Sequence, residues 1–191
     1  PWLTSQTGAM DRAFAAYVRA YDHADPKIAL KIAHTYRVAA LCEEIAVSLG
    51  VSPQDTDLAW LSGLLHDVGR FEQVRRFGTF NDALSVDHAA ESARVLFTQG
   101  HIRDYCPDPA EDALLERAVR CHSLYRLPGG LTERERTFCN ILRDADKVDI
   151  LRVNCDTPLT EIYNVTAEAL YVSPLSPEVE ACFFAHRTVL R

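Results

Sequence analysis

Leu58-Ala59-Trp60-Leu61-Ser62-Gly63-Leu64-Leu65-His66-Asp67-Val68-Gly69-Arg70-Phe71 is the stretch that decides the fold of this chain. Leu58, Leu61, Leu64 and Leu65 recur at three- and four-residue spacing, which marks one face of an α-helix. Ser52-Pro53 supplies a start signal for that helix, and Gly69 is the expected stop. His66 and Asp67 close the apolar run, about 100° apart on such a helix. An imidazole and a carboxylate in that company cost free energy unless they are paired or hold a metal. Gly63, one turn earlier, leaves room for a second helix or a ligand to come close.

Outward from this stretch, nearly every segment also reads as helix. Phe14, Tyr17, Val18 and Tyr21 share a face over 8–22. Asp25-Pro26 caps and opens a long helix that runs to about Gly50, a residue suited to the left-handed position after a helix end. Residues 71–84 read as a short helix and then a loop. Further helices are expected near 85–99, 109–123 and 131–152, separated by Gly100, by Pro107 and Pro109, and by Pro128-Gly129-Gly130. Beyond Asp156 the pattern is broken by Pro158, Pro174 and Pro177, leaving one weak helix near 177–190. The expected fold class is all-α, with one domain over 1–156, its ligand-bearing core over about 26–153, and 157–191 as an appendage of the same domain.

A chain of 191 residues with 48% hydrophobic content can bury one sizeable core and does not require two domains. The net charge of -7 and a pI near 5.5 argue against nonspecific nucleic-acid binding, which needs a basic footprint. No apolar run reaches the ~18–20 residues of a membrane span. The N-terminus also lacks the charged-then-apolar pattern of a signal peptide. Cys42, Cys106, Cys121, Cys139, Cys155 and Cys182 are scattered without a CxxC pair and suit a reduced compartment. A cytoplasmic location without a membrane partner is expected.

Six residues carry the chemistry: His34, His66, Asp67, His88, His122 and Asp146. His34 lies on the stripe Val38, Leu41, Ile45, and His122 ends the stripe Leu115, Ala118, Val119. His88 follows Leu84 by one turn, and Asp146 shares a face with Cys139, Leu142, Ile150 and Val153. Taken singly, an inward histidine is more often a satisfied core residue, and Asp146 could pair with Arg143 or Lys147. Taken together, four histidines and two aspartates call for one shared explanation. Antiparallel helices can bring such residues to a point around a metal. His23, His101 and His186 lie beside breaks or in the tail and do not join the set.

The order His34, His66-Asp67, Asp146 resembles the HD-domain superfamily of metal-dependent phosphohydrolases. The local contexts are similar too: His34-Thr35-Tyr36-Arg37-Val38, Leu65-His66-Asp67-Val68-Gly69-Arg70-Phe71 and Arg143-Asp144-Ala145-Asp146-Lys147-Val148-Asp149. The resemblance covers roughly residues 26–153. It implies a bundle of five core helices with the metal in the centre. His88 and His122 fall where the two-metal branch of that superfamily places its extra histidines. A dinuclear site is therefore implied: His34, His66, Asp67 and Asp146 on one ion, His88 and His122 on the other, with Asp67 bridging as the catalytic carboxylate. His122 is followed by Ser-Leu-Tyr-Arg-Leu-Pro rather than a second His and a GYP signature, which argues against a cyclic-di-GMP phosphodiesterase. The pair is followed by Val-Gly-Arg rather than the two acidic residues of the guanosine-tetraphosphate hydrolases.

Mixed His/Asp ligation suits two divalent transition metal ions drawn from Fe, Mn, Zn, Co or Ni. Two such ions about 3.5–4 Å apart can turn a shared water into a hydroxide nucleophile near neutral pH and clamp attacking and leaving oxygens. Arg70, one turn past the pair, and Lys147, directly after Asp146, are the expected cations for a small phosphorylated substrate. Arg75 and Arg76 read at least as well as solvated surface. The segment Phe77–Asp82 is the expected lid or specificity loop, with an ordinary connector as the other reading. The expected function is hydrolysis of a small phosphate ester or nucleotide by a metal-bound hydroxide. The same ligand order also resembles the di-iron oxygenases of this superfamily, which act on polyols or phosphonates. A non-catalytic ligand sensor is disfavoured because the ligands are intact.

Overall fold

The structure, a computed structural model, describes residues 2–158, 166–187 and 189 and divides between Arg152 and Val153 into two compact units. The described residues are helical or irregular, with no strand among them. In chain order the helices are α1 (Trp2–Val18), α2 (Pro26–Ser48), α3 (Pro53–Leu65), α4 (Val68–Phe77), α5 (His88–Ala93), α6 (Asp112–Cys121), α7 (Glu133–Asp156), α8 (Ala167–Tyr171) and α9 (Pro177–Phe184). Helix α5 runs on as a π-turn over Arg94–Thr98. Short 3₁₀ turns lie at Asp82–Leu84, His101–Asp104 and Pro109–Glu111. No helix of the described residues is long and apolar enough to cross a membrane.

The starts follow local chemistry. The Asp25 side chain accepts from Lys27 N at 2.8 Å and Pro26 occupies the first turn of α2, so two of the otherwise unbonded positions are dealt with at once. Ser52 does the same for α3, accepting from Asp55 N at 3.1 Å ahead of Pro53. After α2, Gly50 adopts φ +66°, the left-handed conformation that glycine tolerates without strain.

The first helix and the decisive stretch differ from the sequence expectation. Helix α1 covers Trp2–Val18 instead of 8–22, and Tyr21 follows it in irregular chain, still buried, its hydroxyl donating to Glu72 at 2.5 Å. The helix through Leu58 stops at Leu65. His66 and Asp67 form a turn, with Asp67 at φ -112°, ψ 16°, and α4 begins at Val68. Gly69 is therefore inside α4 and ends nothing. It is needed because α5 passes so close: a methyl at Gly69 would sit 2.4 Å from Ser92 N, and its amide donates to Ser92 Oγ at 2.9 Å. Gly63 meets the expectation of a close approach, since a methyl there would lie 2.6 Å from the Ala39 Cα of α2.

Helices α2 and α3 pack along each other, α4 lies on α5, and α5 on α6. Phe14, Leu61, Leu64, Leu65, Phe71, Leu96, Leu115, Phe138, Ile141 and Leu142 are fully buried between them. Truncating any one of these leucines to alanine would cost about 2–5 kcal/mol, so the packing that aims the polar side chains is stiff. The second unit contains α8, capped by the Thr166 side chain, and α9, opened by Pro177. Sequence reading anticipated α9 but not α8. The last residues of the helix expected over 177–190 fall partly outside the described residues. Large apolar side chains of this unit, among them Tyr171, Leu175, Phe183 and Phe184, are exposed.

Candidate metal centre

Four helices and one turn aim their polar side chains into one buried space of the first unit. His34 comes from the middle of α2, His66 and Asp67 from the α3–α4 turn, His88 from the first residue of α5, His122 from the end of α6, and Asp146 from α7. All six are buried, His66 completely. The break after Leu65 sets the angle between the adjacent pair, because Asp67 leaves helical geometry at that point.

Each histidine spends Nδ1 on a neighbour and turns Nε2 inward. His34 Nδ1 lies 2.7 Å from Asp149 Oδ2, and His66 Nδ1 lies 2.7 Å from the Gly63 carbonyl. His88 Nδ1 stands 2.5 Å from Asp82 Oδ2, and His122 Nδ1 2.7 Å from the Val119 carbonyl. A carbonyl or carboxylate on Nδ1 fixes the tautomer that leaves a lone pair on Nε2, which is how metal-ligating imidazoles are commonly oriented. The His34 and His66 Nε2 atoms and Asp67 Oδ1 are buried with no hydrogen-bond partner. Buried orphan acceptors are costly. A cation among them would satisfy all three, so the donor set fits a metal.

The inward atoms form two groups that share one residue. His34, His66 and Asp67 make the first, and Asp67, His88 and His122 the second, with all ligand atoms of each group within 4.8 Å of one another. The Asp67 carboxylate faces both. Its Oδ2 is 3.4 Å from His66 Nε2 and 3.8 Å from His34 Nε2, while Oδ1 is 3.7 Å from His122 Nε2 and 3.9 Å from His88 Nε2. Asp146 Oδ1 borders the first group, 3.2 Å from His34 Nε2 and 3.7 Å from His66 Nε2. The His88 and His122 Nε2 atoms are 3.1 Å apart. Two lone-pair nitrogens at that separation repel unless a proton or a metal lies between them.

The electrostatics fit the same arrangement. Burial would raise the Asp67 carboxyl, but Lys31, His66 and Arg70 outweigh it and hold the group well below the usual carboxylate range. Burial would likewise raise Asp146, and His34 and His66 hold it down. His66 is pulled down by burial yet pushed up to about 9 by Asp67 and Asp146, so the carboxylates draw a positive charge to its Nε2, a proton or a metal ion in the proton's place. His122 is lowered to about 3 by burial and by His66, which keeps its ring neutral at physiological pH.

Two cations stand at Asp67. Lys31 Nζ lies 2.6 Å from Oδ2, and Arg70 Nε 3.7 Å from Oδ1. Both pack over the Phe80 ring, Lys31 at 5.3 Å and Arg70 at 5.6 Å from its centroid. Arg70 also braces the segment after α4. Its Nη1 donates to Gln73 Oε1, the Phe80 carbonyl and Asp82 Oδ1, each at 2.7 Å. Gln73, fully buried, donates from Nε2 to Asp82 Oδ1 at 2.9 Å and to Ser85 Oγ at 2.8 Å. Lys147 is exposed on α7 beside Asp146. Arg75 pairs with Glu72, and Arg76 with Glu91.

Sequence reasoning missed Lys31, Asp149 and Asp82. Asp149 is three residues beyond Asp146, so a search one helical turn from each ligand for a second carboxylate could have found it. Lys31 is three before His34 and open to the same search. Asp82 opens a short 3₁₀ turn, where no longer periodicity points to it.

No curated protein and no solved structure matches the chain. A family model described as the HD domain matches residues 32–151. That span holds every ligand candidate together with Asp82 and Asp149, and HD domains are generally found in metal-dependent phosphohydrolases. The chain belongs to the HD-domain family.

Proposed function

We propose that this protein is a metal-dependent phosphohydrolase acting on a small phosphate ester or nucleotide, with Asp67 joining two divalent transition metal ions in one centre. The observation that carries the reading is the sharing of Asp67 between two clusters of inward-facing imidazole nitrogens. His34, His66, Asp67 and Asp146 would hold one ion, and Asp67, His88 and His122 the other. Such ions supply Lewis acidity towards a phosphoryl oxygen and towards a water molecule.

The chain's own residues do the rest. Asp149, Gly63, Asp82 and Val119 keep the four imidazoles in the tautomer and orientation that ligation needs. Arg70 keeps an unpartnered Nε beside Asp67 while Nη1 tethers the following segment, so it can meet a phosphate oxygen without moving its backbone. Lys31, beside the same carboxylate, adds a second positive charge next to the reacting group. Lys147 would reach an anionic substrate from the α7 side.

Turnover is the test. The full chain, loaded with Mn and kept free of O2, is assayed against phosphomonoesters, phosphodiesters and nucleotides for release of phosphate or alcohol. Hydrolysis in the absence of O2 is expected. Activity that appears only with iron and oxygen would overturn this reading in favour of oxygenation of a polyol or phosphonate.

A further inference from the structure

A second pocket opens in the first unit between α1, α3 and the chain around Cys106–Glu111, with a volume of about 330 Å³. That is at the lower end of the range that holds small organic ligands, about 300–1,000 Å³. None of the ligand candidates or their hydrogen-bonding neighbours lines it. Its walls are chiefly apolar: Met10, Leu58, Leu61 and Pro107.

The acids at this pocket differ in how they are satisfied. Glu111 is held by Arg134 through both carboxylate oxygens, at 2.8 and 3.0 Å. Asp108 accepts from Ala110 N at 2.9 Å as the cap of the 3₁₀ turn. Asp57 has neither arrangement. Its Oδ1 is buried with no hydrogen-bond partner, and loss of water there moves its carboxyl upward with no cation to offset it. An unpaired carboxylate against an apolar wall leaves one kind of group missing: a positively charged donor on a hydrocarbon body.

We propose that this pocket binds a small amphipathic amine, its ammonium on Asp57 and its hydrocarbon part against Met10, Leu58, Leu61 and Pro107. The apolar lining and the one buried carboxylate oxygen of the pocket that lacks a hydrogen bond both select for that chemistry. Neutral donors of equal size could bond the Asp57 carboxylate but would leave its charge uncompensated, and anions would be repelled. The site is independent of the phosphoryl chemistry assigned above.

Calorimetric titration of the metal-loaded full chain with cyclohexylammonium chloride tests it, with cyclohexanol as the neutral control. Saturable binding with one amine per chain is expected. Asp57→Asn should weaken it about tenfold to hundredfold, the range for losing one charged hydrogen bond. Met10→Trp, which fills the pocket from its rim, should abolish it while leaving metal content unchanged. Absence of saturation, equal affinity for cyclohexanol, or unchanged affinity in both variants would each overturn the assignment.

Discussion

Asp67 offers one carboxylate oxygen to each histidine cluster, so removing it should strip both at once. Asp67→Ala is expected to lower metal content more than His88→Ala, which leaves the first cluster whole. Equal metal content in the two variants would contradict the sharing. One step further out, Asp149 bonds His34 Nδ1 at 2.7 Å. Asp149→Ala should weaken metal binding about 10–100-fold although no ligand is lost, because the ring is no longer held. Arg70 is argued differently, since it cannot be a ligand. Arg70→Ala should raise KM for a phosphate ester by about one to two orders of magnitude at unchanged metal content. Lysine should not restore it, because one ammonium cannot reproduce a guanidinium fork that serves Gln73, Phe80 and Asp82 while facing Asp67. Unchanged kinetics in Arg70→Ala would remove the arginine from substrate recognition.

At the scale of the helices, the two buried glycines control how near the elements carrying the candidate ligands come. Gly69 has Ser92 N where its side chain would be, and Gly63 has the Ala39 backbone. Backbone cannot rotate aside, so Gly69→Ala should destabilise the fold by about 1–3 kcal/mol through overpacking. Equilibrium denaturation would show it as a lower midpoint at constant slope. The same change shifts α5 relative to α4 and should weaken metal binding through His88. A neutral outcome in both measurements would mean the helices can separate without disturbing the centre. Gly63 was legible from its place one turn before His66. Gly69 was misread as a stop because a glycine after an apolar run is the usual sign of a helix end, and only the crossing of α5 reveals its other use. The break at His66-Asp67 was hidden for a related reason: the leucine periodicity continues up to it without a proline, and Asp67, though it stands at the N-cap of α4, makes no side-chain capping bond.

For the whole molecule, the all-α class and the six inward-facing polar side chains were readable because burial of polar groups on apolar stripes has few explanations. The orienting carboxylates Asp82 and Asp149 were not, since an acid gains its meaning only from the ring it meets across space. With buried imidazoles and carboxylates facing one another, the proposed centre predicts that the fold depends on a bound metal. Chelation should lower the melting temperature and saturating metal should restore it, with a gain in folding stability of about 2.7 kcal/mol at a free concentration of 100 times Kd for one site. A melting temperature indifferent to chelation would mean the clustered side chains tolerate each other without an ion. The most direct measurement is elemental analysis of the full chain after saturation with Mn and removal of excess. The account predicts two metal ions per chain. A saturated ratio of one would contradict it, returning either His88 and His122 or the first cluster to a purely structural role and ending the assignment of Asp67 as the shared ligand.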